Sequence, residues 1–261
     1  MRSLFLLIGL FFSNIGYAQA PTFDNISDAQ LETIVKEFSA NFIHTSVTPP
    51  TSLGKVFGVE ASLIAGVTES PGIQEISRSV DPNSDIEYIP HAWILGGVSV
   101  PYGVSVELNI LPEFDVEGLK MSHTSVGLKW SITDQFFKSL PFDWALRTSY
   151  TRSEISFNQT VSNANFPATS DVSVSYENTM IGADSFFGID FGIVEPYFGI
   201  GVVDTDGQLA GSSTTGTPYS LFDDTTSQEK SSKQTTSRLT LGCQFHLAAF
   251  NIGLEYSNVL S

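Results

Sequence analysis

Cysteine is almost missing: Cys243 stands alone in 261 residues, so no disulfide can form within the chain. Charge is also scarce. Charged residues make up 15% of the sequence, against roughly 25% in ordinary soluble domains. Positive charge is scarcest, with 12 Lys and Arg against 28 Asp and Glu and a net charge of −16. That balance excludes a nucleic-acid partner, because phosphates need clustered cations. No apolar run reaches the roughly 18 residues of a membrane-spanning helix.

Catalytic and metal signatures are missing as well. There is no Gly-x-Ser-x-Gly elbow and no His-Glu-x-x-His. Asp81-Pro82-Asn83-Ser84-Asp85 and Asp204-Thr205-Asp206-Gly207 lack the glycine and closing glutamate of a calcium loop, and both read as turns. His123 and Ser125 sit two apart on one strand, about 7 Å, too far for a nucleophile and its base. His44, His91, His123 and His246 read as solvated or lumen-facing side chains. The expectation is a protein that is not an enzyme and has neither cofactor nor metal.

What is present is an exported, strand-rich chain. Arg2, the apolar run Leu4 to Phe12 and the small residues that follow have the layout of a secretory signal peptide. Gly16-Tyr17-Ala18 places the cut so that 1–18 is the signal peptide and Gln19 begins the mature chain. Residues 19–53 then hold one helix and a linker. Ser27-Asp28-Ala29-Gln30 reads as a capping box, with Ile26 and Leu31 as its staple. Leu31, Ile34, Val35, Phe38 and Phe42 follow at helical spacing through about His44, and Thr48-Pro49-Pro50 ends the segment. The stripe predicts a helix that covers one end of the following domain or acts as a movable plug. Its polar face carries Lys36 against Asp28, Glu32 and Glu37, too acidic for anionic lipid, so docking on the rim beside Phe142 and Phe250 is expected.

From residue 54 to 261 the period becomes two. Phe57, Val59, Ala61, Leu63, Ala65 and Val67 alternate with Glu60, Ser62, Gly66 and Thr68. Eight further segments repeat the pattern, through Leu239 to Leu247 and Ile252 to Tyr256. Cys243 falls on the apolar face. Connections alternate long and short: 69–90, 158–171 and 204–234 are long, whereas Tyr102-Gly103, 188–192 and Ala248-Ala249 are tight. Phe142, Trp144, Phe186, Phe187, Phe191 and Phe250 gather near the short turns, where an aromatic girdle belongs. The expectation is all-β: an antiparallel up-and-down transmembrane β-barrel of about 8–10 strands, nine visible, with one short N-terminal helix. An odd count closes in parallel, which suggests a ten-strand design that stops before its last strand. A secreted sandwich is the competing fold.

The order of leader, amphipathic helix, Pro-rich link and strands recurs with particular residues. Val126-Gly127-Leu128-Lys129-Trp130-Ser131-Ile132 is followed by Ser139-Leu140-Pro141-Phe142-Asp143 and a Tyr150-Thr151 strand. In these the chain resembles a family of small bacterial outer-membrane β-barrels of unassigned function. The resemblance implies a fold and the Gram-negative outer membrane as location, with outer-membrane lipid and the barrel-assembly machinery as partners. It offers no catalytic residues.

Candidate site residues come from the polar face of the strands. Glu60, Glu107, Glu177, Glu195 and Glu255 against Lys129, Arg147 and Arg238 form the expected lumen charge network, since a cation facing lipid costs roughly 2–4 kcal/mol at mid-membrane. The network either fills a narrow barrel or lines a path or pocket for a small solute. The leading expectation is a barrel that passes or binds such a solute; the alternative is a structural or surface-recognition barrel working through its outer loops, 207–234 above all.

Overall fold

The computed structural model describes residues 27–54, 56–80, 87–116, 119–137, 139–162, 169–216, 224–247 and 250–260. The expected signal peptide 1–18 and the stretch 81–85 lie outside them. All nine expected strands are present, in one antiparallel sheet whose spatial order follows the chain. They are β1 (Gly58–Glu69), β2 (Tyr88–Val100), β3 (Val104–Val116), β4 (Leu119–Ser131), β5 (Asp143–Ser162), β6 (Thr169–Gly188), β7 (Val194–Gly216), β8 (Asp224–His246) and β9 (Asn251–Leu260). Helices α1 (Asp28–Phe42), α2 (Pro71–Val80) and α3 (Thr133–Phe136) complete the fold. The sheet curls into a half-barrel. Among the described residues no helix is long and apolar enough to cross a membrane.

Local chemistry fixes several elements. The Ser27 capping box forms, with the Gln30 N–H donating to Ser27 Oγ and the Ser27 N–H donating to Gln30 Oε1. Tyr102 and Gly103 both have positive φ (76° and 73°) within the three-residue turn 101–103 that closes the β2–β3 hairpin. The register from β2 to β3 runs through it without a bulge, Val100 opposite Val104. In contrast, the 69–90 connection carries α2, whose Gly72 and Ile73 N–H groups both donate to the Glu37 carboxylate of α1 (2.6 and 2.7 Å). A negative side chain thus serves the exposed donors at the start of a helix.

The long connections are shorter than the sequence suggests. β5 and β6 pair from Asp143–Gly188 to Ser162–Thr169, and β7 and β8 pair from Val194–Phe245 to Thr215–Asp224. Most of 158–171 and 204–234 is therefore paired strand, and Asp204 to Gly207 is part of β7, not a turn. Serine- and threonine-rich sequence satisfies its backbone by pairing across the hairpin even without an apolar face. β1 and β9 are the edges of the sheet. Both run in the same direction, so a strand lying between them would run opposite to each.

The helix sits at the other end from the one expected. Leu31 and Val35 pack on Tyr176 and Leu209, and Phe38 stacks on Tyr176 with ring centroids 4.9 Å apart. Those residues lie far along β6 and β7 from the short turns, at the end of the long connections. Phe42 and Ile43 continue inward and join Ile64, Trp93, Leu95, Met180 and Val203 in the main apolar core. The rim beside Tyr102, Phe142 and Phe250 is not the dock, because Tyr176 and Leu209 make the concave face apolar at the opposite end, and the stripe of α1 packs there. Replacing Cys243 by Ser and placing cysteines at Phe38 and Tyr176 should give a bis-maleimide cross-link in folded protein, while the pair Phe38 and Tyr102 should give none.

Candidate functional site

After α1 the chain does not leave the half-barrel. Residues 43–53 thread the concave side from the helix end toward the short turns, and most of this stretch is buried. An irregular segment inside a sheet has no ladder to satisfy its carbonyls, so side chains must. Arg238 Nη1 donates to the His44 carbonyl (3.0 Å), Asn109 Nδ2 to that of Thr45 (2.7 Å) and Lys129 Nζ to that of Pro49 (3.1 Å). Ser131 Oγ donates to the Pro50 carbonyl. Val47 holds a φ of 53°, costly for a β-branched residue, and marks the bend of the segment. Space for it comes from glycines on the inner face. A Cβ at Gly127 would lie 2.4 Å from the His44 ring, and one at Gly253 would lie 2.7 Å from Val47.

Around this segment the interior charges assemble. Arg147 Nε and Nη2 both donate to Asp184 Oδ2 (3.2 and 3.0 Å), while Nη1 donates to Ser46 Oγ (3.0 Å). The Phe186 ring lies under the guanidinium at 4.5 Å. Arg238 pairs with Glu255 at 3.1 Å and approaches Asp184 at 3.9 Å. Glu255 also accepts from Tyr197 Oη at 2.9 Å. Lys129 pairs with Glu107 at 3.4 Å and donates to Thr48 Oγ1 at 3.1 Å. Three cations and three carboxylates, all nearly sealed from solvent, thus balance one another and grip the segment.

Six of the eight expected network residues join that interior: Glu107, Lys129, Arg147, Arg238 and Glu255 in the cluster, and Glu195 deeper toward the short turns. Glu60 faces inward but is only half-buried, and it accepts from Ser62 Oγ at 2.9 Å. Glu177 is a correction. It lies on the convex face, 3.6 Å from Arg152, because β6 turns Tyr176, Asn178, Met180 and Asp184 inward. Phe186 likewise belongs to the interior rather than to an aromatic girdle; Trp144, Phe187 and Phe198 stack on the convex side instead. Sequence reasoning missed Asp184, together with His44, Ser46 and Thr48. The alternation Asn178, Met180, Gly182, Asp184 was the available signal for the first.

One arrangement has the connectivity of a catalytic triad. His44 Nδ1 lies 2.8 Å from Ser125 Oγ, and His44 Nε2 lies 3.1 Å from Glu107 Oε2. All three are buried, His44 on the segment and the other two on the strands that face it, and Glu107 is also paired with Lys129. With the serine sealed and the acid neutralised by a lysine, these contacts lock His44 in place. His123 pairs with Ser153 at 2.8 Å rather than with Ser125.

Removing one member of a buried pair strands the other. Arg147→Ala or Asp184→Ala should each lower stability by about 3–5 kcal/mol, with strong coupling in the double variant. Glu177→Ala, on the exposed face, should stay within about 0.5 kcal/mol. Urea unfolding measures all four.

No curated protein matches the sequence. A family described as a family of unknown function (DUF6588) matches over residues 22–259. That span takes in the helix, the threaded segment and every strand of the sheet. The description names no barrel and no membrane, so it leaves the resemblance to small outer-membrane barrels where the sequence put it. The chain belongs to this family.

Proposed function

We propose that this chain is a non-enzymatic outer-membrane barrel protein that binds or passes a small polar solute, with residues 27–54 closing its interior. The observation that carries the reading is the inversion of its two faces. Val59, Leu63, Val67, Ile94, Leu128, Ile200, Leu241 and Leu254 are exposed on the convex side, while the paired charges are buried on the concave side. Soluble monomers rarely leave contiguous apolar patches beyond a few hundred Å². A bilayer would cover such a face. On β8 the outward residues stay apolar from Leu239 to Phe245, and Leu247 just beyond the strand continues them, close to the roughly 9–11 residues with which a tilted strand crosses the apolar band. In lipid the free edges of β1 and β9 need backbone partners, which a strand antiparallel to both would supply.

The interior favours a solute over a permanently open pore. The threaded segment occupies it, and His91, Trp93 and His123 stack in a row with centroids 4.6 and 4.5 Å apart. Asn41 Nδ2, Trp93 Nε1 and His123 Nε2 are buried there without hydrogen-bond partners. Such groups are costly unless something polar meets them, and a small solute with acceptor atoms would. A second reading rests on the hairpins β5–β6 and β7–β8, strands of 20 to 23 residues that continue as polar ladders beyond the apolar band. Those ladders suit surface recognition.

Leu63 is 82% exposed, so Leu63→Arg should be harmless in water but should destabilise the lipid-embedded protein by about 2–4 kcal/mol. Ser62→Arg, beside Glu60, should be tolerated in both. Refolding into vesicles with a urea titration separates the cases, and equal behaviour of the two variants would sink the membrane placement. In planar bilayers the full chain should be silent, and Arg147→Ser with Arg238→Ser should open a small conductance by freeing the segment. Silence from both removes passage and leaves binding within the interior.

A further inference from the structure

Away from the charge cluster, three side chains of different chemistry converge at the short-turn end. Asp190 stands in the turn between β6 and β7, Glu195 near the start of β7, and His246 at the end of β8. One ligand atom from each lies within 4.8 Å of the others. The turn is tied to β8 directly, since the His246 N–H donates to the Ile193 carbonyl at 2.8 Å.

The state of Glu195 is what needs an explanation. Its side chain is 2% exposed, and no lysine or arginine among the described residues pairs with it. Its Oε2 receives Thr51 Oγ1 at 3.3 Å and faces His246 Nε2 at 3.2 Å. Its Oε1 is buried with no hydrogen-bond partner. Asp190 and Asp143 lie close enough to add negative charge around it. A desolvated carboxylate with an empty oxygen, among other carboxylates, calls for a cation.

We propose that Asp190, Glu195 and His246 bind a divalent transition-metal ion of the zinc class. An imidazole nitrogen with carboxylate oxygens suits such an ion better than calcium or magnesium, which take oxygen ligands. With bonds of about 2.0–2.2 Å, tetrahedral ligand atoms stand roughly 3.3–3.5 Å apart, near the 3.2 Å already between His246 Nε2 and Glu195 Oε2. His246 Nδ1 lies 3.3 Å from Asn251 Oδ1, and donating there leaves Nε2 free to coordinate. Asp190 is exposed, its Oδ1 accepting from the Gly192 N–H at 2.6 Å, and its carboxylate supplies the third ligand oxygen. The ion would join the β6–β7 turn to β8 beside Thr51, where the threaded segment leaves the interior. This site stands apart from the solute reading and does not depend on it.

The test uses the full chain in detergent micelles, stripped with EDTA and titrated calorimetrically with Zn²⁺, then with Co²⁺ as a spectroscopic reporter. One ion per chain is expected, with a rise in melting temperature. Asp190→Asn, a change on an exposed turn that leaves the fold intact, and His246→Gln should each weaken Zn²⁺ binding at least tenfold. Asp206→Asn, at the other end of β7, should not. Absence of Zn²⁺ binding to the unaltered chain, tighter binding of Ca²⁺ than Zn²⁺, or unchanged affinity in both site variants would overturn the proposal.

Discussion

The structure depends on a balance of buried charge. Lys129, Arg147 and Arg238 project inward from β4, β5 and β8, and Glu107, Asp184 and Glu255 meet them from β3, β6 and β9. Each ion, alone in that interior, would be strongly unfavourable, and together they are tolerable only with close geometry and further hydrogen bonds. The threaded segment supplies those bonds. Carbonyls at His44 and Pro49 and hydroxyls at Ser46 and Thr48 take up the remaining donors of the three cations. Sheet and segment are therefore one polar unit, in which neither half satisfies its groups without the other.

This arrangement explains why inner positions on the strands are so small. Gly127 and Gly253 face the segment, and any side chain there would displace it. Three cations and three carboxylates are held inside, and the outer face of the sheet is apolar, with β-branched and aromatic residues in rows on it. Among the described residues, further acids stand on α1, at the β6–β7 turn and on the outer faces of the long hairpins.

Most of the architecture was legible because it rests on local rules. The capping box at Ser27, the dyad repeat of nine strands and the Tyr102-Gly103 turn each follow from short stretches of sequence. What failed was the inference from polarity to face. Polar-in reasoning put Glu177 within, whereas α1 makes the far end of the concave face apolar, so β6 turns Tyr176 inward and Glu177 outward. The same reversal hid Asp184. The helix itself was read correctly from Leu31 to Phe42 but placed at the wrong end, because its dock is built from Tyr176 and Leu209, residues distant in sequence. His44 gave no sign of its role, since its partners Ser125 and Glu107 come from two other strands. Composition misled once more at the hairpins, where serine and threonine runs suggested loops and form ladders.

The central claim is that the segment around Ser46 is gripped within the folded sheet. Ser46 is 3% exposed and accepts from Arg147 at 3.0 Å, whereas Val56, ten residues on, is 68% exposed. With Cys243 replaced by Ser, cysteines placed singly at Ser46 and Val56 report this through their reaction with a water-soluble maleimide. The account predicts that the Val56 position labels at once in folded protein and that the Ser46 position labels only as urea unfolds the sheet. Labelling of the Ser46 position in folded protein at the rate of an unfolded chain would contradict it.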